Sequence, residues 1–370
     1  MTKIPFLKPN VVKTESYLKY LEQIDKSRIY SNFGTLNTLF EERVLIEYFN
    51  NEGSVVTVNN ATTGLILAIA QSMRPKGKYA LMPSFTFPAT PLAAMWCGLT
   101  PYFIDIREED WSMNEELIDK EIKKLGEDIA VIIPYATFGN NVSLDYYNKL
   151  QDHHIPIVID AASSFGSFQN IQFGQGFKGI VVYSFHATKA FGIGEGGLVY
   201  SGNKDTIDQI RQASNFGFSN ARESDQLGLN GKLSEYAAAI GLATLDIFKQ
   251  KKKKREQIFT WYLEEIKNLK LIEQGWCLQD IKGSVPHQFM SLLCPEYYKK
   301  EAIIEKLEEE GIQTRSYFSP SCHQQKLFSL YPKTQLVITE AIAQRIINFP
   351  LWEEMEPAHI KKILHVAANE

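Results

Sequence analysis

The stretch 179-GIVVYSFHATKAFGIGEGG-197 sets an apolar run, 179-GIVVY-183, against a polar turn carrying one lysine, Lys189, and then a glycine-dense exit. The run predicts a strand that is apolar almost throughout, as expected where helices cover both faces of a sheet. A surface lysine needs no such setting. A lysine that gives up its proton and reacts covalently does, because burial and nearby positive charge depress its pKa.

Working outward, short β-rich runs alternate with helical segments from about residue 54 to 202. The predicted strands are 54–58, 79–82, 101–106, 129–135, 156–160, 179–185 and 197–201, and the helices between them include 62–73, 88–98 and 143–154. That alternation predicts a mainly parallel, seven-stranded α/β sheet. The pattern changes after a long helix near 234–266. A strand-like 287-HQFMSLLC-294 follows, then a helix over 298–311 and two more near 336–347 and 357–368. The expected division is residues 1–245, an N-terminal arm plus a large α/β domain, and residues 246–370, a small α+β domain.

A chain of 370 residues with 44% hydrophobic and 22% charged residues and a formal net charge of −4 has no general attraction to nucleic acid or to an anionic membrane. The basic run Lys249 with 251-KKKKR-255 reads as the solvated face of the long helix. The four cysteines are widely spaced without a CxxC pair, so neither a zinc site nor a disulfide framework is signalled. The N-terminus lacks an apolar leader core and no apolar run nears the length of a membrane span. A soluble protein of a reducing compartment, the cytoplasm, is the expectation.

Ligands of open α/β sheets bind at the carboxyl ends of the strands, and polar groups gather at such ends here. After 54–58 comes 59-NNATTGL-65, whose small residues open a helix with free N–H groups suited to a phosphate. After 156–160 comes 160-DAASSFG-166, whose Asp160 is costly at a buried strand tip unless a cationic or hydrogen-bonding group meets it. After 79–82 comes 83-PSFTFPAT-90, with aromatic rings at the same edge. A phosphate cradle, a strand-end carboxylate, a flat ring and a buried lysine together suit pyridoxal 5'-phosphate.

With these blocks, and with 32-NFGTLNTLFEE-42, 184-SFHATK-189, 194-GEGG-197, 228-GLNGKLSE-235 and 348-NFPLW-352, the sequence resembles the DegT/DnrJ/EryC1/StrS family of sugar-nucleotide aminotransferases, nearly end to end. The resemblance implies a fold-type-I, aspartate-aminotransferase-like enzyme. It makes Lys189 the lysine that carries the cofactor and Asp160 the partner of its pyridine nitrogen. It also makes Phe87 the ring on the cofactor face, Ala61 and Thr62 backbone phosphate donors, and Ser184 a hydroxyl donor to the same phosphate. Asn230 matches a residue that reaches the phosphate from the other subunit, which implies a homodimer with shared sites.

Three positions depart from the family pattern. Ser163 stands where Gln or His is usual near the cofactor's O3', Ala190 where Asn is common, and Ala61 where Gly is usual.

The implied reaction is ping-pong. L-glutamate gives its nitrogen, a keto-sugar nucleotide takes it, and the unprotonated amine of Lys189 moves the proton. Relatives that dehydrate at C3 replace the lysine by His, so Lys189 favours transamination over that alternative. His186, three residues before the lysine, accords with amination at C4 of a 4-keto-6-deoxyhexose nucleotide; amination at C3 is the alternative. His186 and His323, in 317-YFSPSCH-323, are candidate linings of the sugar pocket. The product would be an amino sugar of a surface polysaccharide, such as a lipopolysaccharide O-antigen, or of a secondary metabolite.

Overall fold

The computed structural model describes residues 3–219 and 222–368. Two helices, α1 (Leu18–Ser27) and α2 (Thr35–Phe49), precede the sheet. The chain then alternates through β1 (Ser54–Val58), α3 (Ala61–Ser72), β2 (Tyr79–Pro83), α4 (Ala89–Trp96), β3 (Thr100–Ile104), α5 (Glu115–Leu125), β4 (Ile129–Ile132), α6 (Leu144–Asp152) and β5 (Val158–Asp160). A small hairpin of β6 (Phe168–Gln169) and β7 (Ile171–Gln172) leads to β8 (Ile180–Ser184) and β9 (Gly197–Ser201).

The seven long strands lie in the order β3-β2-β4-β5-β8-β9-β1, with β9 antiparallel to both of its neighbours. The β4–β5 join is made by bridges at Ile132–Ile157 and Tyr135–Asp160 rather than by a continuous ladder. Pro134 and Pro156 cause this, because each lacks an N–H and can only accept, from Asp160 and Ile132 respectively. The expected strands 129–135 and 156–160 are shortened accordingly.

Both faces of the sheet are covered, which is why its strands do not alternate in polarity. Val55, Leu81, Ile159 and Val181 face a core shared with α2, α5, α6 and the start of the long helix. Their neighbours Val56, Met82, Val158 and Val182 face α3, α4 and α7 (Lys204–Ala213) on the other side. The apolar stripe of α3 is thus core, with Leu65, Leu67, Ala68 and Ile69 buried.

The long helix α8 (Glu235–Asn268) runs unbroken across the expected boundary at 245/246. Ala238, Leu242 and Leu245 pack on the sheet. Ile258, Tyr262 and Ile266 pack in a second core built from β10 (Cys277–Leu278), β11 (Met290–Leu293), α9 (Lys300–Glu309), β12 (Ile346–Phe349) and α11 (Pro357–Ala368). Strands β10-β11-β12 form an antiparallel sheet, and α10 (Val337–Arg345) precedes β12. The expected helix over 336–347 is therefore two elements, because 346-IINF-349 is drawn out to pair with β11.

Several contacts hold the N-terminal segment, among them a bridge from Ile4 to Ile312. The Glu235 carboxylate accepts the N–H groups of Leu36 (2.8 Å) and Asn37 (3.0 Å), capping α2 from the first residue of α8. Nearer the start, Trp352 Nε1 donates to the Pro5 carbonyl at 3.1 Å, strapping the chain to the C-terminal part.

The basic run on α8 is not simply a solvated face. Lys251 and Arg255, one turn apart, are buried and meet Glu353, with Arg255 Nε at 2.9 Å and Lys251 Nζ at 3.8 Å. Helical spacing puts residues four apart on one face, and that face is turned into the seam between the two cores. Lys253 stays exposed. Removing one partner of a buried ion cluster leaves the others uncompensated. Glu353→Leu is expected to lower unfolding stability by about 3–5 kcal/mol, read from the denaturant midpoint. A change no larger than that of an exposed glutamate would show that the seam does not depend on it.

Candidate active site

The site lies at the carboxyl edge of the sheet, where the register aligns its parts. Gly197 pairs with Val58 on one side and with Ser184 on the other, so the end of β1, the start of β9 and the end of β8 form one row. A Cβ on Gly197 would sit 2.9 Å from the Ala61 nitrogen, so only glycine lets β9 pass this close to the start of α3. Asn60 caps α3 by accepting from the Thr63 N–H at 2.9 Å. The Ala61 and Thr62 N–H groups, in the first turn, have no intrahelical acceptor. Together with the Ser184 hydroxyl at the row's end they make an anion cradle.

Asp160 closes β5, paired with Val182 of β8. It is buried, and its carboxylate accepts from Thr90 Oγ1 at 2.6 Å and the Ala162 N–H at 3.1 Å. Burial pushes its pKa up, while Thr90, Ala162 and the charge of Lys189 pull it back down. Thr90 in turn hydrogen-bonds Thr86 at 2.9 Å. Phe87, next along, is 56% exposed, with the Phe318 ring 6.5 Å from its own.

Lys189 sits on the loop from β8 to β9, which folds back through Ala187 N–H to the Gly194 carbonyl and Ile193 N–H to that of Phe185. Gly194 has a φ of +102°, a conformation that side chains rarely adopt. This accounts for part of the glycine-rich exit. Lys189 as a whole keeps some exposure, but its amine is enclosed by protein atoms. Burial lowers its pKa from an ordinary 10.5 to about 8, against the opposing pull of Asp160. The amine donates to Ser163 Oγ at 2.9 Å and to Gln288 Oε1 at 3.2 Å. The Tyr135 hydroxyl, buried beside Asp160 and Ser163, has its own pKa raised, first by burial.

These residues fit pyridoxal 5'-phosphate. A buried carboxylate beside Lys189 suits a protonated ring nitrogen. An exposed flat ring, free first-turn N–H groups and an enclosed, easily deprotonated amine meet the remaining needs. Among the described residues no cluster of His, Cys, Asp and Glu could hold a metal, and no helix is long and apolar enough to cross a membrane.

The other expected residues are less central. His186 is exposed, its Nδ1 2.8 Å from Thr188 Oγ1 and its Nε2 3.7 Å from Glu195. His323 is buried, with Nδ1 2.7 Å from Ser84 Oγ and Nε2 3.0 Å from Glu340. Both its ring nitrogens face protein groups. Asn230 is exposed, and its backbone carbonyl meets Asn59 Nδ2 at 3.5 Å. Ala190 is buried. Thr90, Tyr135 and Gln288 were not anticipated. Thr90 lies within a stretch already marked, and Gln288 is a polar residue near the start of a strand-like run.

Residues 12–367 match the model of the DegT/DnrJ/EryC1/StrS aminotransferase family. A crystal structure of a putative PLP-dependent aminotransferase from Bacillus cereus ATCC 10987 is similar with a TM-score of 0.98 at 48% identity, covering 100% of both chains. The crystal structure of DesI in the presence of its TDP-sugar product gives a TM-score of 0.89 at 29% identity, over 100% of this chain and 93% of that one. The UDP-4-amino-4,6-dideoxy-N-acetyl-beta-L-altrosamine transaminase of Campylobacter jejuni strain 81-176 is 31% identical over 86% of this chain and 83% of its own length.

The lowered pKa of Lys189 has a direct readout. In cofactor-free protein its amine is unprotonated above about pH 8, so its carbamoylation by cyanate should rise with pH and level off with a midpoint near there. A midpoint above 10, as for an exposed lysine, would contradict the enclosed amine.

Proposed function

The chain belongs to the DegT/DnrJ/EryC1/StrS aminotransferase family and uses pyridoxal 5'-phosphate, and from that premise we propose that it transfers an amino group from L-glutamate to a keto-sugar nucleotide. The observation that carries the reading is the enclosed, easily deprotonated amine of Lys189 facing the buried Asp160. The sugar-nucleotide chemistry of the DesI and Campylobacter relatives supports the substrate class.

The bound cofactor supplies an electrophilic carbon and a ring that draws electron density when its nitrogen is protonated. The residues do the rest. Asp160, held by Thr90 and Ala162, keeps a proton on the ring nitrogen. Ala61, Thr62 and Ser184 bind the phosphate, and Phe87 packs on the ring. Ser163 hydrogen-bonds near the cofactor's edge. Lys189, unprotonated at mildly alkaline pH, would act as the base that takes the proton from the donor's α-carbon and delivers it to C4' of the cofactor.

We assign His186, exposed beside Glu195, to acceptance of a 4-keto-6-deoxyhexose nucleotide, with nitrogen added at C4. His323 we assign to holding the 317–323 segment against Ser84. Asn230 completes the phosphate site of a partner subunit in a homodimer. The two-domain division and a cytoplasmic location belong to the same reading.

Asp160→Asn should keep the cofactor yet lose at least about a hundredfold in kcat, because a neutral amide cannot hold the ring nitrogen protonated. Near-normal turnover would show the wrong carboxylate has been chosen. A panel of keto-sugar nucleotides with glutamate, read by mass spectrometry and product NMR, should give nitrogen on C4. Nitrogen on C3 would overturn the position alone, and no transfer at all would overturn the substrate class. Sedimentation should show a dimer, and a stable active monomer would refute the shared site.

A further inference from the structure

Gln288 comes from the C-terminal part of the chain, just ahead of β11, yet its side chain ends at the amine of Lys189. Three hydrogen bonds fix its orientation. Its Nε2 donates to the Thr188 carbonyl at 3.1 Å, which turns Oε1 toward the amine. Oε1 then accepts from Lys189 Nζ at 3.2 Å and from the Ser163 hydroxyl at 3.0 Å. Ser163, with its proton directed to Gln288, uses a lone pair to accept from Lys189 at 2.9 Å. The amine, the hydroxyl and the amide oxygen form a closed triangle with one consistent set of proton directions.

The backbone under Gln288 is equally fixed. The His287 carbonyl accepts from Arg255 Nη1 at 2.8 Å, and the His287 ring stacks on Phe259 with centroids 3.8 Å apart. Phe289 is buried against Phe6 and Phe138. A glutamine anchored on both sides, with its amide spent on the loop that carries the reacting lysine, is not filling a gap.

We propose that Gln288 is a positioning residue that parks the amine of Lys189 between Ser163 Oγ and its own amide oxygen whenever that amine is not bonded to the cofactor. The proposal rests on Lys189 being the reacting lysine. An amide oxygen suits the task because it accepts a hydrogen bond from the amine in either protonation state and adds no charge. A carboxylate at the same point would hold the proton. The groups facing the amine are Asp160 from β5, coupled to it through charge, and the Ser163 hydroxyl, with the Tyr135 hydroxyl beside Asp160 and Ser163; Asp160 is the carboxyl among them, and its charge favours the protonated amine. A second carboxylate would add to that pull. The amine is thus kept both in place and able to lose its proton.

The test compares wild type with Gln288→Leu, Gln288→Glu and Lys189→Ala. Each is assayed as holoenzyme for kcat and KM with glutamate and for cofactor affinity. Wild type and the two Gln288 variants are also assayed as cofactor-free protein for the pH midpoint of Lys189 carbamoylation.

Gln288→Leu should lower kcat by roughly ten- to a hundredfold, as expected for a misplaced base, with KM and cofactor affinity changed by less than about threefold. Gln288→Glu, which keeps the shape, should raise the midpoint by about one unit or more, the size an opposite charge at contact produces. A residue 288 whose side chain does not reach the amine would leave that midpoint unmoved, and the loss of kcat in Gln288→Leu separates positioning from mere proximity. If both variants keep the wild-type kcat and midpoint while Lys189→Ala is inactive, the role of Gln288 is overturned and the reading of Lys189 stands. If Lys189→Ala turns over like wild type, both fall. Should Gln288→Leu fail to fold, the midpoint of the near-isosteric Gln288→Glu decides the matter.

Discussion

Asp160 and Lys189 occupy neighbouring parts of the sheet's carboxyl edge, both enclosed and both pushed by burial toward their neutral forms. Taking an ion out of water costs several kcal/mol even after a protein relaxes around it. The fold must therefore offset that cost at two points, and much of the local architecture does so. Thr90 and the Ala162 N–H stabilise the carboxylate, with Thr86 behind Thr90. Ser163 and Gln288 receive the amine. The balance is tuned for chemistry: each group eases the other's charge, yet the amine remains free to lose its proton near pH 8.

These supports are drawn from distant parts of the chain, which ties reactivity to assembly of the whole. The loop carrying Gln288 is bolted to the large sheet upstream of the glutamine. Gln279 Nε2 reaches the Asp110 carbonyl at 2.8 Å, and Lys282 Nζ reaches the buried Asp110 carboxylate at 2.9 Å. Burial pushes the Asp110 pKa up, but Lys282, Ser112 and Arg107 together bring it down to about 2. Farther along, the Cys322 N–H donates to the Ser84 carbonyl at 3.0 Å, and His323 clamps Ser84 to Glu340. The segment that holds Phe87 and Thr90 is thereby fixed from the C-terminal side.

Most of the sheet was legible because burial on both faces writes a plain signal: runs such as 179-GIVVY-183 have no other comfortable place. The candidate site positions at the start of α3, at Asp160 and at Lys189 stand out in the sequence because each follows such a run. What escaped was set by tertiary context. The shortened β4 and β5 follow from prolines whose effect shows only once the strands are paired. Helices α5 and α7 are polar outside a narrow apolar stripe, with Ile118 buried in one and Ile207 and Ile210 in the other, and sequence reading passed over them. Lys251 and Arg255 looked like solvated charge because their partner, Glu353, lies about a hundred residues away. Gln288 is likewise separated from Lys189 by 99 residues, and no local pattern marks a side chain whose role depends on a contact made across the fold.

The identity of the reacting lysine can be read directly. Borohydride reduction of the cofactor-loaded protein, followed by proteolysis and mass mapping, should place the pyridoxyl group on the peptide containing Lys189 and on no other. Label on a different lysine, or none on a protein that demonstrably holds its cofactor, would contradict the assignment on which the whole site has been built.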